Sequence, residues 1–351
     1  MNLAEVYLSA PAALLLGPAV DNDELLARVR ARFTGSASAW SALERRVRSL
    51  WRVCGTKSRH LTPESDEALA ANAALAARQV LAEGGLRAED LDVVVYGSIA
   101  RTYYEPATAS EVAAVIGAVR ACPLDVTSAC AGALIAVQDV VGRMTMDAEI
   151  TQALVCTSTM TSSHVSYALD QASDVDRLGA GLTLGHAATA TLLTRTPTPR
   201  CGRIVGMLSE GIPAHWDLCR APVHGHFESD GARIFALSRH VPAHARKLCE
   251  RVGWTLADVD VFVAHQPSNR VLADMARGLG VPTARVPQLH GLYGNTADSA
   301  VPLSMRHLLD QGVIRPGMKV VLSTAASGFV MASVALVWQE ESAAADADRA
   351  P

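Results

Sequence analysis

The chain has 351 residues, of which 50% are hydrophobic, 19% charged and 5% aromatic, and its formal charge is −4. Such a composition supplies a large core and excludes a disordered chain, and with no basic block nucleic acid is a poor partner. No run reaches the ~18 apolar residues of a membrane span. The seven cysteines (54, 122, 130, 156, 201, 219 and 249) have no CxxC spacing. They point to a reducing cytoplasm, with neither a disulfide framework nor a zinc site.

Taken in order, residues 1–20 lack a basic leader and are broken by Pro11 and Pro18, so they read as a first strand and turn and not as a signal peptide. Residues 21–60 read as helical and basic and end in the turn Gly55-Thr56-Lys57-Ser58-Arg59-His60. A helix over 65–83 leads to a strand over 91–96. Then come Tyr103-Tyr104-Glu105-Pro106 and a helix over 109–119. Strands are expected over 153–157 and 187–194, separated by a Ser/Thr-rich loop, and 194–200 reads as a connection.

Between them lies Asp125-Val126-Thr127-Ser128-Ala129-Cys130-Ala131-Gly132. Strand-type residues run up to Thr127, and from Ala131 a helical pattern puts Leu134, Val137, Val140 and Val141 on one face. Cys130 therefore sits at a strand-to-helix turn, where unpaired N–H groups and the helix dipole favour a thiolate. A buried structural cysteine is the alternative for a lone Cys. A thiolate is both nucleophile and leaving group, as acyl transfer through a thioester requires.

The second half repeats the first. Ala77-Arg78-Gln79-Val80-Leu81 aligns with Ala245-Arg246-Lys247-Leu248-Cys249, and Gly85, Asp90, Asp92, Val93 and Val95 then meet Gly253, Asp258, Asp260, Val261 and Val263. The strand over 153–157 likewise resembles one over 320–324. The expected organisation is a duplicated α/β fold with halves 1–198 and 199–351. In the second half a strand over 259–264 ends in His265-Gln266-Pro267-Ser268-Asn269-Arg270, at the strand end where α/β folds place functional groups. Asn295, in Tyr293-Gly294-Asn295-Thr296-Ala297-Asp298-Ser299, reads by itself as a helix N-cap. Ala325-Ala326-Ser327-Gly328-Phe329 is a small-residue turn whose backbone N–H groups can approach a ligand.

"DVTSACAG" around Cys130, "HQPSNR" from His265, "YGNTADSAVP" around Asn295 and "SGFVMASVALVW" at the end together resemble the β-ketoacyl-ACP synthase III family of the thiolase superfamily. The resemblance implies a thiolase-like duplicated αβαβα layered fold. It also implies a Cys130–His265–Asn295 triad and an oxyanion hole from the N–H groups of Cys130 and Gly328. Cys130 would take an acyl group from acyl-CoA or acyl-ACP, with no permanently bound cofactor. His265 and Asn295 would then hydrogen-bond the malonyl thioester oxygen during decarboxylative condensation. Arg177, Arg270 and Arg277 fall where the family binds phosphate or carrier protein, and Phe329 ends the glycine-rich turn. The family is dimeric, with the strand over 153–157 and the loop after it expected at the interface.

Three departures matter. The Trp and Arg that sandwich adenine have no match in register, Trp51 and Arg52 being near but displaced. Only Gly328 remains of a "GGGF" turn, and Glu105 stands before Pro106 in place of an aromatic that gates the acyl pocket across the dimer. A carboxylate there favours a short or polar acyl group. His215, Cys219, His224 and His226 mix ligand types at irregular spacing, so no metal is expected. The expected activity is a decarboxylating condensation in a specialised polyketide or fatty-acid-like pathway. Acyl transfer to a hydroxyl, amine or carrier thiol without condensation is the alternative.

Overall fold

The computed structural model describes residues 4–62, 68–159 and 162–339. The strands are β1 (Tyr7–Ser9), β2 (Ala12–Leu15), β3 (Ala19–Asp21), β4 (Ser58–His60), β5 (Val93–Tyr96), β6 (Cys122–Asp125), β7 (Gln152–Thr159), β8 (Ala187–Thr194), β9 (Cys201–Gly211), β10 (Cys219–Arg220), β11 (Glu228–Ser229), β12 (Val261–Ala264), β13 (Lys319–Ala326) and β14 (Val330–Trp338). The helices are α1 (Asn22–Arg32), α2 (Ala37–Cys54), α3 (Leu69–Gly84), α4 (Thr108–Ile116), α5 (Gly132–Met146), α6 (Asp174–Leu178), α7 (Gly231–Leu237), α8 (His240–Arg251), α9 (Asn269–Leu279), α10 (His290–Tyr293) and α11 (Ala300–Asp310).

The pairing pattern occurs twice. β5 runs parallel to β7, β7 antiparallel to β8, and β8 antiparallel to β1 and β2. In the second copy β12 runs parallel to β13, β13 antiparallel to β14, and β14 antiparallel to β9. β1 also pairs with β9, joining both sets in one continuous path. The sequence repeat is repeated in detail. Asp92 Oδ2 accepts from the Gln152 N–H (3.1 Å) and Asp260 Oδ2 from the Lys319 N–H (2.8 Å), each at the base of a parallel pair. Gly85 and Gly253, which follow α3 and α8, have φ of 66° and 73°, a left-handed turn that glycine adopts without strain.

α5 touches β5, β7 and β8 of the first set and β13 and β14 of the second, and α11 touches β2, β8, β12 and β13. These two helices form the middle layer, α3 and α4 cover the first set outside, and α8 and α9 cover the second. The result is the five-layered αβαβα arrangement of a thiolase-like fold. With both faces covered, β5, β8 and β12 are buried at every position, which is why β5 and β12 read as unbroken apolar runs and β8 as apolar residues and threonines without a charge.

Within residues 21–60 the helical segments are α1 and α2, divided where Ser36 caps the start of α2 by accepting from the Ala39 N–H. One expectation is corrected. β7 is no interface strand, since it pairs on both sides, with β5 and β8, and nearly all of it is buried. Of the two end strands, β12 is buried at every position, whereas β6 pairs only with β5 and leaves Cys122 and Pro123 exposed.

Candidate active site

The turn between β6 and α5 is built by close backbone approach. A Cβ on Gly132 would lie 2.3 Å from the Gly97 carbonyl oxygen, so only glycine lets α5 start directly against the end of β5. Ala129 takes φ of 45°, a left-handed conformation unusual for alanine. Below it, Asp125 accepts from the N–H groups of Thr108 and Ala109 (both 2.9 Å) and so caps α4. Thr324 donates to the Cys130 carbonyl (3.2 Å), tying the turn to β13.

His265 follows β12 and its N–H donates to the Ser323 carbonyl (2.9 Å). Behind it, Gln266 donates to the Ala264 and Pro287 carbonyls while its Oε1 accepts from the N–H groups of Leu289 and His290. His290 contacts the Gln266 carbonyl through Nδ1 (2.8 Å) and Thr56 Oγ1 through Nε2 (2.6 Å). The basic turn is thereby fastened to the His265 loop. Asn295 is held by its own backbone, N–H to the Thr183 carbonyl (2.8 Å) and C=O from the Gly185 N–H (3.0 Å). Its side-chain Oδ1 accepts from the Ala297 N–H (3.0 Å), which leaves the NH₂ end available to a ligand. Gly328, φ 119°, forms the β13–β14 turn.

Cys130, His265, Asn295 and Gly328 all line one cavity of about 820 Å³, together with Phe329 and Arg270. Burial pushes the Cys130 thiol well up, and Cys219 and Asp298 nearby add to the rise. Desolvation at Cys130 therefore opposes the thiolate that a helix N-terminus favours. Burial lowers His265 to about 4, so its ring is neutral, and Nδ1 has no hydrogen-bond partner among the described residues.

Of the other expected residues, exposed Arg270 lies at the cavity mouth with its guanidinium 4.5 Å from the Phe235 ring centroid. Arg177 and Arg277 are surface residues paired with Glu228 and Asp274, and neither lines the cavity. Glu105 is exposed and also lies outside the lining of its own chain's cavity. Trp51 is buried, donates to the Leu182 carbonyl (3.1 Å) and stacks with buried Arg59, so neither is open to an adenine ring. Among the described residues no group of three or more His, Cys, Asp or Glu is placed to hold a metal ion. Also among them, no helix is long and apolar enough to cross a membrane.

Asp298 and His290 were not singled out from the sequence, and Cys219 was weighed there only as a metal ligand. Cys219 shares the cavity with Cys130. Asp298 is buried, accepting from Ser98 Oγ and the Ile99 N–H (both 3.0 Å) and from Thr159 Oγ1 (2.5 Å). An acidic residue within an otherwise small, uncharged "NTADSAVP" run was the signal available for it.

Residues 249–338 match the family model of the 3-oxoacyl-[acyl-carrier-protein (ACP)] synthase III C terminal. The β-ketoacyl-[acyl-carrier-protein] synthase III of Levilactobacillus brevis is 30% identical over 267 residues, covering 74% of this chain and 81% of that protein. An acyl-CoA:acyl-CoA alkyltransferase of Xanthomonas campestris is 27% identical over 303 residues, covering 82% and 87%. Among solved structures, 3-oxoacyl-(acyl carrier protein) synthase III of Pseudomonas aeruginosa aligns with a TM-score of 0.80 at 26% identity, covering 96% of this chain and 99% of that one. A variant of Xanthomonas campestris OleA with bound lauric acid and lauroyl-CoA aligns with a TM-score of 0.86 at 23% identity, covering 96% and 100%. At that identity the second likeness bears on the fold alone.

Proposed function

The chain belongs to the β-ketoacyl-ACP synthase III family, and from that premise we propose that it is a transferase that condenses a Cys130-bound acyl group with a malonyl thioester. Cys130 Sγ attacks the acyl thioester carbon, the carbon–sulfur bond to CoA or carrier breaks, and the thiol proton passes through neutral His265 to the leaving sulfur. The N–H groups of Cys130 and Gly328 receive the oxyanion. The malonyl thioester then loses CO₂, and its electron pair becomes an enolate whose oxygen accepts from His265 and Asn295. The enolate carbon attacks the acyl carbon, a carbon–carbon bond forms, and Cys130 leaves as thiolate to be reprotonated. Arg177, Arg270 and Arg277 are assigned to the carrier or CoA phosphate.

The observation that carries this reading is the Asn295 amide. Its oxygen is occupied by the Ala297 N–H, so it presents donors to the cavity that holds Cys130. Plain acyl transfer has no use for an enolate-stabilising donor. A second reading is favoured by the acyl-CoA:acyl-CoA alkyltransferase relative. An acyl-CoA acceptor has no carboxylate to lose, so its carbanion requires a base, and Glu105 from a second copy is the candidate.

The test loads Cys130 from acyl-CoA, adds malonyl-carrier or a second acyl-CoA, and measures CO₂ and 3-oxoacyl product. Asn295→Ala is expected to load normally and to lose ~10²–10³ in condensation rate. Product without CO₂ from two acyl-CoAs selects the second reading. Transfer to another nucleophile without any 3-oxoacyl product rejects both.

A further inference from the structure

Asp298 is 1% exposed and stands three residues after Asn295 in the same segment. Burying a carboxylate costs stability that small apolar side chains in the same run, Ala297 and Ala300, do not cost. Its contacts show what the carboxylate holds. Oδ2 accepts from Ser98 Oγ and the Ile99 N–H, both on the segment after β5. Oδ1 lies 2.5 Å from Thr159 Oγ1, at the end of β7, and that hydroxyl also reaches the Thr296 carbonyl (3.0 Å). Thr159 therefore ties down residues 296 and 298, on either side of Ala297. Ala297 has φ of 43°, a left-handed conformation that is unfavourable for alanine. Its N–H is the donor that occupies Asn295 Oδ1.

We infer that Asp298, clamped to Thr159, Ser98 and Ile99, is a positioning residue for the Asn295 amide. The clamp keeps Ala297 in its left-handed turn, and the Ala297 N–H fixes which end of the Asn295 side chain is left for a ligand. The inference rests on the condensation reading above and deepens it, since Asn295 acts there on the enolate and not in loading Cys130. The Cys130 turn has its own support. Gly97, against which Gly132 packs, is held by its N–H to the Cys156 carbonyl (2.8 Å). An asparagine at 298 can replace the carboxylate. Its oxygen takes the Ser98 and Ile99 donors, and its NH₂ donates to Thr159 Oγ1, whose own proton goes to the Thr296 carbonyl. An alanine leaves the Ile99 N–H without its acceptor and releases Ala297.

The test measures Cys130 loading from acyl-CoA by intact mass, and 3-oxoacyl product formed by the loaded enzyme from malonyl-CoA and malonyl-carrier. Asp298→Ala is expected to load within about twofold of wild type and to condense about tenfold or more slowly, as a misplaced donor does. Asp298→Asn should condense within about threefold of wild type. In an Asn295→Ala background Asp298→Ala should cost nothing further, because no amide is left to position. Equal losses in both backgrounds, wild-type condensation by Asp298→Ala, or loading and condensation falling together overturns the inference. Should Asp298→Ala fail to fold, Thr159→Val removes the hydroxyl between residues 296 and 298 and should give the same pattern. If the wild type makes no 3-oxoacyl product, the condensation reading falls, and crystal structures of the wild type and the same variants decide the positioning. An Asn295 amide displaced by Asp298→Ala or Thr159→Val and restored in Asp298→Asn upholds it, and an unmoved amide overturns it.

Discussion

Asp298 and three histidines give the protein opposing responses to acid. Burial raises the Asp298 carboxyl to about 6, against hydrogen bonds from Thr159, Ile99 and Ser98 that pull it down. Between its unfolded value near 3.8 and about 6, the folded chain holds a proton that the unfolded chain releases. Its stabilising contribution is therefore present below the unfolded value and is lost as pH rises through the folded one. Burial lowers His186, His265 and His290 to about 4, and these do the reverse. Their contribution is complete above about 6.5 and is lost as pH falls through the folded value. Asp298→Asn removes the one opposing group, so the loss of stability between neutral pH and pH 4 should steepen by roughly 3 kcal/mol. Urea midpoints at the two pH values measure it, and an unchanged difference would show that Asp298 does not titrate there. Cys219 poses a different question at the same scale. It shares the cavity with Cys130, but burial raises its thiol and its contact with Ser327 only partly offsets that. Peptide mapping after acyl-CoA treatment should find Cys130 alone acylated and Cys130→Ala unlabelled. A label on Cys219 in that variant would move the nucleophile.

The β6–α5 turn shows how little freedom the nucleophile's own element has. Gly132→Ala sets a methyl against the Gly97 carbonyl and must displace α5 or the end of β5. A cost of about 1–3 kcal/mol in stability is expected, with loss of Cys130 acylation exceeding the loss of folded protein. Chemical unfolding and intact mass measure the two, and wild-type loading in this variant would refute the claim that the contact positions Cys130. The turn, the His265 loop and the Asn295 segment were all legible in the sequence, because each is a short run of special residues, the first two after a strand and the third between two helices. The repeat was legible too, since Asp92 and Asp260 do the same work in both copies. What stayed hidden was whatever depends on residues distant in sequence meeting side by side. The sequence could mark Arg177, on α6, as basic, but Glu228, its partner, lies on β11. Leu237, Val241, Leu272 and Met275 have the periodicity of ordinary core residues, and nothing local marks them as lining the cavity.

At the scale of the whole molecule, β6 is an open edge. Val119, three residues before that strand, is 87% exposed. Open edges invite pairing, and the expected occupant is β6 of a second copy. Sedimentation at micromolar concentration should show a dimer, and Val119→Glu with Leu124→Glu should weaken it at least tenfold. A monomer in the wild type would contradict this and would leave Glu105 no second cavity to reach. The seam between the two strand sets has a consequence for biosynthesis. β1 lies between β8 and β9, and Ser9 Oγ accepts from the Leu192 N–H across 183 residues of chain. At ribosomal rates of ~5–20 residues per second, that strand waits roughly 10–40 s for either partner to emerge. During that wait it is an apolar segment with unpaired backbone, the kind of surface that chaperones bind and that aggregation recruits. Soluble yield should therefore respond to translation speed and chaperone supply well before the finished enzyme shows any defect.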